Sequence, residues 1–384
     1  MQPADFKDNS PGRVMLTHLG YCAFVPNPLD PIVHFDLPLI NALSRADRAL
    51  SELAGIARTL PNPHLLIRPF MRREAVLSSR IEGTQASLSD LLYFEAANTG
   101  APALPDVREV ANYIRALEHG LARLGTLPLS LRLIREMHEQ LMEGVRGEHQ
   151  TPGEFRRSQN WIGPPGCTLM DATYVPPPVE EMERALDLFE KYLHAEPGLP
   201  LLVRLALIHY QFEAIHPFLD GNGRIGRLLI TLLLCVDGML PQPLLYLSAY
   251  FERHRDEYYH RLMEVSRNGD WNAWILYFLN GVEAQSRDAI ERSDALLSLW
   301  SSYRHRLQEA RASALLLRLV DALFSYPAIN TSMAAASLGV TFASAQANID
   351  KLMAADILVE VTGQKRNRVY VAKEIVAAIE NGSG

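Results

Sequence analysis

Cysteine is nearly missing from this chain: Cys22, Cys167 and Cys235 are the three among 384 residues. An odd, widely spaced set supplies neither a disulfide framework nor paired zinc ligands, so reduced thiols are expected. Long apolar runs are missing too. The most apolar stretch, Leu228 to Val236, falls far short of the roughly 20 residues that a membrane helix needs. The opening residues MQPADFKDNSPGRV lack the apolar core of a signal peptide. There is no basic surplus either. Lys and Arg number 37 against 44 Asp and Glu, a net charge of -7, which argues against a broad nucleic-acid surface. No internal repeat or low-complexity tract interrupts the chain. These absences point to a cytoplasmic protein that does not enter a membrane.

What is present is ordinary for a globular protein: 48% hydrophobic and 21% charged residues, in a chain long enough for two or three domains. Residues 1–34 are rich in Pro, Gly and Asn and read as extended or irregular. Helical periodicity starts near Leu37 and stops before Pro61. A second helix covers about Leu65 to Ile81 and ends at Gly83. A third starts at Ser87, where Ser-Leu-Ser-Asp resembles a capping box. Helical patterns return from Asp106 until about residue 145. Residues 150–178 are rich in Pro and Gly and frame two strand-like runs, Gln159 to Ile162 and Ala172 to Val175, which predict a β-hairpin flap. Further helices are expected at 179–194, 200–215, 224–237 and 251–267, and from Trp271 to about Gln308. The tail reads as helix, short helix, turn, helix and strand–turn–strand, the order of a winged helix. The spacing thus predicts a mainly α protein with a hairpin flap, in three parts: 1–105, 106–308 and 309–384.

Chemistry concentrates in His216-Pro217-Phe218-Leu219-Asp220-Gly221-Asn222-Gly223-Arg224-Ile225-Gly226-Arg227. Pro217 turns the chain after His216, and Arg224 is expected to open a new apolar helix. The glycine-rich loop then lies at a helix N-terminus, where unpaired N–H groups and the helix dipole favour an anion. Arg224 and Arg227, three apart, can both reach a di- or triphosphate. Asp220 suits a magnesium ion that bridges phosphates, and His216 suits a base for an attacking hydroxyl.

This segment resembles the Fic family signature, H-x-F-x-[D/E]-G-N-G-R-x-x-R, at every fixed position, and the flap, the Pro-rich ATYVPPP run and the tail resemble the large bacterial members. The resemblance implies a helical core that transfers AMP from ATP to a Ser, Thr or Tyr hydroxyl of a protein, itself included. It implies His216 as base, Asp220 as Mg²⁺ ligand and Gly221, Asn222 and Gly223 as an anion hole. Arg224 and Arg227 would hold the β- and γ-phosphates, and Phe218 would be a buried anchor. A phosphotransferring relative carries lysine at the position of Gly223.

Ser78, Glu82 and Gly83 match the family's inhibitory pattern [S/T]-x-x-x-E-[G/N]. Ser78 and Glu82 share a helix face, and the resemblance makes Arg227 the partner of Glu82, so that the chain restrains itself. In some relatives the same glutamate also helps to hydrolyse AMP from modified protein, which leaves a mainly de-AMPylating role open. The resemblance further implies that a target protein docks on residues 158–175, that Ile162 and Gly163 lie near the adenosine, that Tyr258 and Tyr259 line the adenine pocket, and that the chain forms a homodimer. Trp271 and Trp274 read as core. The rival reading is a DNA-binding regulator. From Ala328 to Lys373, however, five basic residues face three acids, too few for strong phosphate neutralisation, so nucleic acid is not the expected partner.

Overall fold

The structure, a computed structural model, describes residues 1–59, 62–97, 104–145, 151–196, 198–310 and 312–381. Among them are fifteen α-helices and five short strands, the mainly α architecture expected. None of these helices is long and apolar enough to cross a membrane.

Two helices run alongside each other in the same direction: α1 (Leu37–Thr59) and the 39-residue α11 (Trp271–Glu309), with His34 bonded to Asn272 where they begin and Arg45 paired with Glu283 at 2.8 Å further along. The centre is α7 (Leu201–Ile215), which buries nearly every residue, as a helix without a polar face must. Its polar side chains find partners inside. Arg204 donates to the carbonyls of Tyr192 and Leu193 at the end of α6 (Val179–Leu193), Gln211 to Asn27 O, and Tyr210 shares a hydrogen bond with Ser266. Trp271 and Trp274 are buried in the core.

Against α7 lies α8, which spans Asn222–Val236 and so opens two residues before Arg224. Gly221, at φ 81°, supplies the left-handed turn into it, and a glycine takes that conformation without steric cost. The other face of α8 meets α2 (His64–Ile81), α4 (Pro105–Arg123) and α5 (Leu131–Met142). The expected capping box forms at α3 (Leu88–Ala97): Asp90 N–H donates to Ser87 Oγ and Ser87 N–H to Asp90 Oδ2.

Four regions depart from the sequence reading. Residues 1–34 contain a hairpin, β1 (Gly12–Leu16) paired with β2 (Cys22–Pro26). The flap has no regular strands. It carries one antiparallel bridge, Ile162 with Tyr174, because the prolines at 164, 165 and 176–178 remove ladder donors on both sides. The stretch 251–267 divides at His254 into α9 (Ser248–Arg253) and α10 (Arg255–Asn268). The tail continues past its last strand into α15 (Lys373–Asn381).

In the tail, α12 (Ala314–Ser325), α13 (Thr331–Leu338) and α14 (Phe342–Ala354) pack with an antiparallel sheet of order β3–β5–β4, formed by Ala328–Asn330, Val369–Val371 and Val359–Glu360. The tail is seated on the helices before it. Arg72 of α2 donates to Ser325 O at 2.8 Å, Asn330 to Ala96 O at 2.7 Å, and Arg292 of α11 to Ile379 O at 2.8 Å.

Candidate active site

The site forms where α7 ends and α8 begins. His216 caps α7 in the left-handed region, at φ 49° and ψ 61°, which is uncommon for a residue with a side chain. Such a turn persists only when its surroundings hold it, and here they do. Buried Arg156 donates through Nε to His216 O at 3.0 Å, and its own N–H donates to Pro217 O at 2.9 Å. Asn160 Nδ2 donates to Phe218 O at 2.7 Å. Asn222 closes the loop from within: its Oδ1 accepts the Phe218 N–H and its Nδ2 donates to Phe218 O, both at 2.8 Å. The Asn222 side chain is therefore spent on the loop, and only its backbone N–H is left for an anion. Phe218 is fully buried and stacks on the His138 ring at 3.7 Å.

His138 is a second support. Gly153 N–H donates to its Nδ1 at 3.0 Å, so Nε2 carries the proton and donates to Asp220 O, also at 3.0 Å. Burial holds His138 down to about 4, which keeps the ring neutral. His209 is also neutral, held to about 3 first by burial and then by Arg227. It accepts from the Tyr258 hydroxyl at 2.8 Å and meets Gly226 O at 3.2 Å.

His216 lines a cavity of about 690 Å³ together with Glu82, Ile162, Gly163, Glu213, Gly223, Arg227, Tyr258 and Tyr259. This brings together expected residues from four separate stretches of sequence. Its imidazole is lowered to about 4 by burial and then by Arg156, against the upward pull of the Glu213 carbonyl, Glu82 and Asp220. Its Nδ1 is buried without a hydrogen-bond partner. A neutral, partly unsatisfied imidazole at a cavity wall can take a proton.

The first turn of α8 offers N–H groups that have no partner within the helix. Arg224, almost wholly buried, stands 3.4 Å from Asp220 and 3.6 Å from Glu109, and its Nε and Nη1 lack hydrogen bonds. A buried cation with unmet donors fits an incoming anion. Among the described residues no group of three His, Cys, Asp or Glu converges as a metal site. Asp220, its side chain 46% exposed beside this turn, matches the single carboxylate with which Mg²⁺ is often held when phosphates supply further oxygens.

Arg227 is already occupied. Its Nε donates to Ser78 Oγ at 2.8 Å, and its Nη2 donates to Ser78 O at 3.0 Å and to Glu82 Oε1 at 2.7 Å. Glu82 lies one residue beyond the end of α2, as its C-cap. Gly83, at φ 99°, donates to Arg80 O and Thr84 N–H to Ser79 O. This is the Schellman pair of bonds, and it fixes where Glu82 projects. Thr84 in turn donates to Glu109 at 2.9 Å, so the segment after α2 also reaches the carboxylate beside Arg224. Burial works against the charge of Glu82, but Arg227 outweighs it and holds the carboxyl below its ordinary value. Gly223 makes room: a Cβ there would collide with Glu82 Oε1.

Sequence reasoning missed His138, Arg156, Asn160 and Glu213. Glu213, one turn before His216, is pushed up to about 8 mainly by burial, and its Oε1 has no hydrogen bond. The one available signal was His138 on the apolar stripe of α5, beside Ile134, Met137 and Leu141.

A model of the Fic/DOC family N-terminal region matches residues 40–122, and a model of the Fic/DOC family matches residues 128–234. The chain belongs to the Fic/DOC family. The second match takes in His216 through Arg227 and the flap, and the first takes in Ser78 and Glu82. Among curated Fic relatives, the protein adenylyltransferase Fic of Drosophila grimshawi is 30% identical over 159 residues, 41% of this chain and 29% of that protein. The namesake of Drosophila virilis is likewise 30% identical over 159 residues. The chain thus spans under a third of the length of these relatives. A solved Fic family protein from Desulfovibrio desulfuricans G20 covers 89% of this chain and 98% of its own, with a TM-score of 0.58 at 18% identity. A Fic domain containing signaling protein from Bacteroides thetaiotaomicron covers 66% of this chain and 96% of its own, at 0.51 and 22%. These two share the fold.

Proposed function

We propose that this Fic protein is an adenylyltransferase that moves AMP from ATP to a Ser, Thr or Tyr hydroxyl of a protein, its own chain included, and that Glu82 restrains it in cis. The observation that carries the reading is a neutral His216 sharing one cavity with the first turn of α8 and the buried Arg227. The curated relatives' names support it.

The acceptor hydroxyl would enter beside the flap and lose its proton to His216 as its oxygen attacks the α-phosphorus. The bond from that phosphorus to the bridging oxygen of the β-phosphate breaks, and pyrophosphate leaves. Arg224, Arg227 and the α8 N–H groups neutralise the phosphates, which is most of what this transfer asks of a protein. Mg²⁺, held by Asp220, would supply charge neutralisation and phosphate orientation. Tyr258, Tyr259 and Ile162–Gly163 would enclose the adenosine. With Glu82 on Arg227, the terminal phosphate lacks its cation. We read residues 309–384 as a winged-helix module, from the order α13, α14 and β3–β5–β4.

Incubation with α-labelled and γ-labelled ATP in parallel tests the reaction type. Label on protein from the α position alone is expected; label from the γ position would make the protein a kinase instead.

The pH profile follows from His216. A depressed pKa means that the base form persists at lower pH. The His216 limb of kcat/KM is therefore expected near pH 4, with transfer maintained from pH 7 to 5. A histidine limb centred near 6.5 would show that the base titrates as if exposed.

A further inference from the structure

The flap raises a question of support. Its only regular pairing is the reciprocal pair of bonds between Ile162 and Tyr174, at 2.8 and 3.0 Å. A two-residue ladder does not hold itself together in water, and the flanking prolines contribute no donors. Yet Ile162, Gly163, Thr173 and Tyr174 form one wall of the cavity.

Much of the support comes from the N-terminal hairpin. Phe24 N–H donates to Val175 O at 2.9 Å, which lays β2 against the returning arm of the flap. Tyr21 Oη donates to Gln159 Oε1 at 3.1 Å. The amide of that same Gln159 donates to Asn160 O and to Pro176 O, each at 2.9 Å, and so ties the two arms to each other. Tyr21 fixes the orientation of that amide. Beneath these bonds, Tyr21 and Ala23 of the hairpin bury themselves against Ala172 and Val175 of the flap, in an apolar cluster separate from the main core. Phe24, fully buried, stands 6.0 Å from the Tyr174 ring. Tyr174 then donates to Ala214 O at 2.8 Å, two residues before His216. Contacts therefore run from the hairpin through the flap to the end of α7.

The outer side of the flap is left open, with Trp161 and Ile162 about 40% exposed. A target segment adding itself to such an edge gains most when the edge is already ordered, because ordering it on binding costs free energy. Residues 1–39 lie outside both matched family regions, so the family match does not account for the hairpin.

We infer that Tyr21 and Phe24 are positioning residues for the reaction: the N-terminal hairpin holds the flap edge in the shape that receives the acceptor segment. The inference rests on the adenylyltransferase reading for its purpose, and on hairpin–flap geometry for its mechanism. It acts on acceptor engagement more than on ATP binding.

The test uses the full chain carrying Glu82→Gly, with Tyr21→Phe and Tyr21→Ala added separately. Amide exchange over residues 158–175 and over α8 is measured by mass spectrometry, with ATP affinity and self-labelling from α-labelled ATP. In Tyr21→Ala the flap should exchange about tenfold faster or more while α8 is unchanged. Self-labelling should slow by a larger factor than ATP affinity weakens. Tyr21→Phe, which loses only the bond to Gln159, should fall between that variant and the parent and guards against a folding defect. Unchanged flap exchange in folded Tyr21→Ala overturns the inference, as does a loosened flap with undiminished labelling. A parent that labels nothing removes the adenylyltransferase reading instead, while exchange still decides whether the hairpin holds the flap.

Discussion

His216→Ala is expected to abolish protein labelling from α-labelled ATP and to leave ATP affinity within about twofold of the parent, since a positioned base contributes on the order of 10²–10⁴-fold to rate but little to binding. On the proposed reading these roles fall to different residues. The imidazole lines the cavity, whereas the groups that would face phosphate, Arg224, Arg227 and the α8 N–H donors, lie elsewhere in the chain. The turn at 216 is held through its backbone carbonyl by Arg156, so truncating the ring leaves those bonds in place. Filter binding or calorimetry beside the labelling assay checks both halves. Residual labelling at parental rates would remove His216 as the base.

Glu82→Gly is expected to raise labelling by about 10- to 100-fold at fixed Mg²⁺ and ATP, the range set by one charge-assisted hydrogen bond of about 1.5–3 kcal/mol. Glu82 contributes one of the three bonds on Arg227. Ser78 keeps the other two, so the guanidinium stays in place and regains a free donor for phosphate. Glu82→Gln separates charge from shape. It retains the reach but not the anion, and should activate less than glycine. Equal rates in the parent and both variants would mean that Glu82 does not restrain the site.

Much of this site is legible in sequence, because its chemistry is packed into twelve consecutive residues and one short upstream pattern. His216, Asp220, Arg224 and Arg227 declare themselves by type and spacing, and Ser78 and Glu82 by their shared helix face. Their supports do not. His138, Arg156 and Asn160 act across gaps of 82, 60 and 58 residues, and nothing local marks an arginine whose task is to hold a distant carbonyl. The N-terminal hairpin was hidden for another reason. Its strands are five residues each among prolines and glycines, and pairing becomes evident only once the flap lies beside it. The flap shows the reverse: two strand-like runs between Pro- and Gly-rich turns suggest a hairpin, and proline chemistry allows one bridge. The last helix, α15, shows its apolar stripe of Ile375, Val376 and Ile379 in the sequence, but it follows a strand that already completes a winged-helix pattern.

The Schellman end of α2 has a consequence for how the chain would respond to a signal. Glu82 is a helix terminus, and terminal turns open at far lower free energy than the helices that carry them. The rest of α2 is pinned below that turn, by Glu74 bonded to Tyr113 and by Arg72 bonded to the tail. Release on the reading above would then be a fraying of one turn, with no helix leaving its seat.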